Sequence, residues 1–188
     1  MPALKNAAGS NRFNLCALIA GLAFWAAPAS AEMGSFSVPV HAVEADAGAS
    51  VSVQSITLPN AGTPFFVMPL VLPHDYQNGG DVKIVLYLQT STATTCQVRL
   101  APGQMIRKRA GSFPMSGLAG LNGNPVTTLT TSVLTTRTFT LKPGGTLSGQ
   151  KPGDVFSINF NRLATDVSDT CANTVVVHAI DIRYPKAP

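Results

Sequence analysis

From position 32 onward, apolar residues recur at every second position and almost never with the 3.6-residue period of a helix. Phe36, Val38, Val40 and Ala42 alternate with Ser37, Pro39 and His41. Val51 and Val53 alternate with Ser50, Ser52 and Gln54, and Phe156, Ile158 and Phe160 with Ser157, Asn159 and Asn161. Each pattern predicts a strand with one face on a core and the other in water. Residues 81–89 and 173–184 are the richest in Val, Ile, Leu and Tyr and are predicted to be central strands. The Thr-rich run 127–138 also favours strand, because a β-branched side chain is crowded against the preceding turn of a helix.

The runs are separated by Asn78-Gly79-Gly80, Pro143-Gly144-Gly145 and Pro152-Gly153-Asp154, all combinations that favour tight turns. About eight to ten strands result, spaced as in an antiparallel β-sandwich of the jelly-roll kind. Glu is scarce after position 32 and Lys sparse, so there is little material for a surface helix. Residues 101–125 are the exception: they are glycine-rich and hold no sustained period. They are expected to form a long surface loop or an irregular excursion between strands, and loops of that length are often functional.

The first 31 residues read differently. Lys5 and Arg12 supply a basic start, residues 15–27 form an uncharged apolar run, and Pro28-Ala29-Ser30-Ala31 ends in the small-x-small pattern that a signal peptidase cuts. The expectation is a signal peptide over 1–31 and one β-sandwich domain over 32–188, exported to the periplasm, the cell surface or the medium. The apolar run is too short to span a bilayer, which takes roughly 20 apolar residues, and no later segment approaches that length. Cys16 lies within the run behind Asn14 and Leu15, not behind the small residues that precede a lipidated cysteine. Cleavage removes the only Trp, Trp25, and takes two positive charges from a formal +4, leaving too little charge to argue for nucleic acid.

Export also settles the cysteines. Cys16 leaves with the leader, so Cys96 and Cys171 remain and are expected to form one disulfide; two separate buried thiols are the alternative. Because each flanks a strand-like run, the bridge is expected to pin two central strands in register.

Candidate chemistry is sparse. Arg107, Lys108 and Arg109 form the only run of charge and read either as a docking patch for an anionic polysaccharide or lipid headgroups, or as charges guarding a strand end. His41, His74 and His178 are too scattered for a metal site; His178 is expected to share a face with Val176, Ile180 and Ile182 as a core or interface imidazole. Asp166 and Asp169 suggest paired carboxylates or calcium ligands, but a self-bonded turn explains them better, since a hard cation takes about six or more oxygens. Neither a G-x-S-x-G elbow nor H-E-x-x-H is present, so no catalytic residue, metal or cofactor is assigned and a non-enzymatic role is expected.

The segment from Phe156 to Thr170, with a strand ending at Arg162 and an Asp-rich turn closing on Asp169-Thr170, is followed by a strand from Val175 to Tyr184. It resembles the final hairpin of small jelly-roll domains in phage tail and receptor-binding structural proteins. That resemblance implies a sandwich that assembles, as a homo-oligomer such as a trimer or with other surface proteins, and does not catalyse. Cys171 and the leader depart from the phage pattern. Two other classes are weighed beside it. One is a fibre subunit whose alternating segment 36–43 adds a strand to a neighbour's sheet. The other is a secreted carbohydrate-binding module or hydrolase, for which the shortage of aromatic residues is unfavourable: only Tyr76, Tyr87 and Tyr184 remain beside the phenylalanines.

Overall fold

The computed structural model describes residues 32–91, 94–109, 112–115, 126–141 and 151–188, with the side chains of 103–109 and 112–115 excepted. The predicted leader and the turn at Pro143-Gly144-Gly145 lie outside the described residues, all of which belong to a compact unit, Ala31–Pro188.

The chain forms an all-β sandwich of two antiparallel sheets. The first contains β1 (Met33–Val38), β3 (Ser50–Val51), β4 (Ile56–Leu58), β6 (Val82–Thr90), β10 (Thr135–Leu141) and β12 (Val175–Pro185). β12 is its spine: β6 runs along one edge, while β4 and β1 share the other, at Val175–Val177 and Ile180–Pro185 respectively. The second contains β2 (Glu44–Asp46), β5 (Phe65–Val71), β7 (Cys96–Arg109), β8 (Ser112–Met115), β9 (Val126–Leu129) and β11 (Val155–Arg162). The two predicted central strands, 81–89 and 173–184, are therefore neighbours in one sheet.

Alternation decides which side chains meet between the sheets. Ile84, Leu86 and Leu88 of β6 and Ile180 and Ile182 of β12 face Phe66, Met68 and Leu70 of β5 and Phe156, Ile158 and Phe160 of β11; all are buried. Phe139 of β10 meets Phe160 edge-on, with ring centroids 5.0 Å apart, and Phe160 in turn stacks on Phe66 at 5.3 Å. At the β1 edge, Gly34 sits opposite Tyr184, and a Cβ there would lie 2.3 Å from the phenol ring. Only glycine lets this ring close the end of the core.

Several expectations change. Val40–Ala42 is a single 3-10 turn, and the extended segment expected after Val51 stops there, leaving Val53 81% exposed. The Thr-rich run is two strands, β9 and β10, which pair with different sheets and are separated by a turn in which Ser132 takes φ 60°. Part of the region expected to be irregular is strand: β7 continues to Arg109 and folds back onto β8. β1, which overlaps the segment 36–43 weighed as a donor strand, pairs with β12 in its own sheet.

The Cys96–Cys171 disulfide is present, with Cα atoms 4.9 Å apart. Its placement differs from the expectation. Cys96 begins β7 and Cys171 lies in the loop that leads to β12, where its amide donates to the Gln97 carbonyl of β7, so the bond ties that loop to the start of β7 and does not join two paired strands directly.

Beside it, the Asp-rich loop is organised by Arg162. Positions 156, 158 and 160 point inward, and the same alternation drives Arg162 into the core, where it is fully buried. Its Nε donates to Asp169 Oδ2 at 3.0 Å and Nη2 to Oδ1 at 2.8 Å, while Nη1 donates to the carbonyls of Leu58 (3.0 Å) and Asn173 (2.9 Å) and Nη2 also to that of Cys171. The fork geometry of a guanidinium suits this combination of a bidentate carboxylate and carbonyls. Asp166 pairs with Arg99 and accepts the Ser168 amide at 2.8 Å. The carboxylates that suggested a cation site are thus engaged by guanidinium and amide donors, in keeping with the turn reading.

Candidate functional site

The outward-facing side of the first sheet carries a different chemistry from its core side. On β6 the outward positions are Lys83, Val85, Tyr87 and Gln89, and on β10 they are Thr136, Thr138 and Thr140. On β12 the alternation breaks: Val177 opposes Leu88 and Ala179 opposes Tyr87, so His178 is an extra residue, a β-bulge. The inward series then passes from Val175 and Val177 to Ile180, Ile182 and Tyr184. His178 consequently shares the outer face with Val176 and is exposed, away from Ile180 and Ile182, which are core; the imidazole expected in a core or interface is on the surface.

A groove of about 270 Å³ opens where β6 ends, lined by Gln89, Thr90, Ser91, Ser132, Val176 and His178. Two backbone irregularities shape it. One is the bulge at His178, and bulges serve to re-aim side chains beside functional sites. The other is the left-handed Ser132, a conformation that costs a non-glycine residue on the order of 1–3 kcal/mol and is maintained only where the surrounding structure requires it. The turn is closed by the Val133 amide donating to the Thr130 carbonyl at 3.1 Å. Thr90 is buried at the base of the groove, with Oγ1 4.0 Å from the Cys96 sulfur. The disulfide thus lies behind the groove, next to Thr90. Val133 and Leu134, next to Ser132, are about half exposed and add apolar surface to the turn.

Chemically the groove offers one carboxamide, three hydroxyls and an imidazole against the apolar side of Val176. Among the described residues its lining contains no carboxylate. Two residues along β6 from Gln89, Tyr87 lies half-buried on the same face with its hydroxyl donating to Asp181 Oδ2 at 2.8 Å, while Ser37 donates to Oδ1 at 2.6 Å. Asp181 thus fixes the tyrosine and ties β1, β12 and β6 together across the surface.

The other sequence candidates lie elsewhere. Arg107, Lys108 and Arg109 fall within β7, where the backbone pairs with β11 at Arg107 and Lys108 and with β8 at Arg107 and Arg109; their side chains lie outside the described residues. The run thus ends β7, with a strand neighbour on both sides at position 107. His41 and His74 are exposed and far apart in the chain, and among the described residues no three His, Cys, Asp or Glu side chains gather as metal ligands. No helix among the described residues is long and apolar enough to cross a membrane.

No protein-family model and no curated protein matches this sequence. Solved structures do match it in shape. The xylan-binding module CBM15 superposes with a TM-score of 0.51 at 14% identity, covering 84% of this chain and 100% of that one. The CBM22-1 xylan-binding domain from Paenibacillus barcinonensis Xyn10C gives 0.47 at 12% identity over 85% of this chain and 98% of its own. A family 35 carbohydrate binding module from Clostridium thermocellum gives 0.43 at 9% identity over 79% and 97%. The likeness is one of fold.

Proposed function

We propose that residues 32–188 form an exported, non-catalytic binding domain that takes a saccharide in the groove at the end of β6. The observation that carries this reading is the groove itself: polar groups from β6, the β9–β10 turn and β12 converge on one apolar side chain, and a bulge and a strained serine hold them there. A sugar presents the complementary surface, hydroxyl edges around a weakly apolar ring face. Small-ligand sites generally have this composition, a few placed polar groups on apolar surface. Glycoside hydrolysis uses two carboxyl groups, and the groove lining has none among the described residues, which favours binding over cleavage. The fold agrees with this reading, since the module CBM15, whose sandwich this chain shares, is described as xylan-binding.

Tyr87 supplies aromatic surface on this face. It is the one tyrosine of the three on the groove's face; Tyr76 and Tyr184 are buried. Export follows from the leader over 1–31, and the disulfide suits an oxidising compartment.

A glycan array followed by isothermal titration tests the reading. Binding to at least one glycan class is expected, with Gln89→Ala and His178→Ala each weakening it about three- to tenfold, the worth of one hydrogen bond. An array silent for every glycan would reject it.

A further inference from the structure

We infer that the saccharide is a polyuronate, lying along β6 from the groove to a pair of cations at the other end of the strand. This rests on the saccharide reading and specifies its ligand. Lys83 and Arg183 are directly opposed in the β6–β12 ladder, both on the outer face and both exposed. Like charges in directly opposed positions destabilise a sheet, their Cβ atoms being about 4.5–5.5 Å apart. Three other described cations are matched by carboxylates, Arg162 by Asp169, Arg99 by Asp166 and Lys186 by Glu32, and Arg137 lies over the Phe139 ring, 5.9 Å from its centroid. Lys83 and Arg183 have no carboxylate partner among the described residues. Asp181, on the same face, accepts from the neutral hydroxyls of Ser37 and Tyr87.

The surroundings of the pair identify the anion. Ser35 lies beside Arg183 and Thr140 beside Lys83, so one row across four strands reads hydroxyl, guanidinium, ammonium, hydroxyl. The row behind it contains Ser37, Asp181, Val85 and Thr138. An arginine receives a carboxylate through two parallel hydrogen bonds, and the flanking hydroxyls suit the ring hydroxyls of the same sugar. From Lys83 to Gln89 is six residues of strand, roughly 20 Å, with Tyr87 between them. A linear acidic polysaccharide can follow that track. The cation row contains no apolar side chain to enter a bilayer, which favours a polysaccharide over an anionic membrane.

Isothermal titration with polygalacturonate and with neutral, unsubstituted β-1,4-xylan, over a salt series, tests the inference. Polygalacturonate is expected to bind at least tenfold more tightly than xylan. The preference should shrink as salt rises, and it should fall several-fold in Lys83→Glu and in Arg183→Gln, each checked for a cooperative melting transition. Equal affinity for the two polymers, or a preference that survives both substitutions, would overturn the polyuronate assignment and leave saccharide binding intact. Failure to bind any glycan removes both readings. Stronger cosedimentation with phosphatidylglycerol vesicles than binding to polygalacturonate would assign the cations to a membrane and also overturn the inference.

Discussion

Arg162 and Asp169 form a fully buried, bidentate ion pair whose guanidinium also donates to the carbonyls of Leu58, Cys171 and Asn173. One side chain on the second sheet thus holds β4 of the first sheet and the loop that leads into β12. Asp169 Oδ2 in addition accepts the Arg99 amide of β7 at 3.1 Å. Removing one partner leaves a buried charge unpaired. Asp169→Ala is expected to cost about 3–5 kcal/mol in chemical denaturation, and Arg162→Lys to be destabilising as well, because an ammonium cannot reproduce the planar fork. A loss under about 1 kcal/mol for Asp169→Ala would mean that the pair adds little to the fold.

The disulfide closes a loop with a sequence separation of 75 residues and ties the start of β7 to the loop leading into β12. Replacing Cys96 and Cys171 together with Ser is expected to lower stability by about 2–5 kcal/mol while leaving the folded protein able to bind. The comparison is of melting curves for the oxidised wild type and the double variant. Coincident curves, or alkylation of both thiols in the native protein, would contradict a structural role.

Asp166 contributes to the acid limb of the stability profile. The hydrogen bond from Arg99, helped by the Ser168 amide, holds its carboxyl below the ordinary aspartate value of 3.8. The folded state therefore binds the proton less readily than the unfolded chain, so the contribution is complete above about pH 4 and is lost as pH falls through the folded value. The melting-temperature gap between wild type and Asp166→Asn should be largest near neutrality and narrow below pH 4. A gap independent of pH would show that the charge of Asp166 is immaterial.

The opposed cations make a prediction of the reverse sign for stability. Lys83→Glu places a carboxylate opposite Arg183 and is expected to raise stability by about 0.2–1 kcal/mol, the worth of a favourable cross-strand pair. A stabilising change that weakens polyuronate binding would separate ligand recognition from folding. A lower melting temperature for this variant would show that Lys83 supports the sheet by other means.

Much of the architecture was legible because period two is a direct consequence of the pleat. Phe156, Ile158 and Phe160 point inward as read, and 81–89 and 173–184 are the hearts of β6 and β12. The same alternation already placed Arg162 inward, two residues past Phe160, but an arginine at a strand end reads as exposed until its partner seven residues on is brought beside it. The bulge at His178 was also written in the chain, as the shift from Val175 and Val177 to Ile180, Ile182 and Tyr184. The turn at Ser132 had no glycine or proline to announce it, so β9 and β10 merged into one Thr-rich run. The groove combines side chains at 89–91, 132, 176 and 178, which only the sheet topology and that turn bring together.

The central claim is that a saccharide occupies the outer face of the first sheet. Backbone amide chemical shifts recorded during titration with a bound glycan test it most directly. The account predicts that the largest changes fall on Gln89, Ser91, Ser132 and His178 and extend along β6 toward Lys83. Changes confined to the outer face of the second sheet, around Asn159 and Asn161 of β11, or no change at saturating glycan, would contradict it.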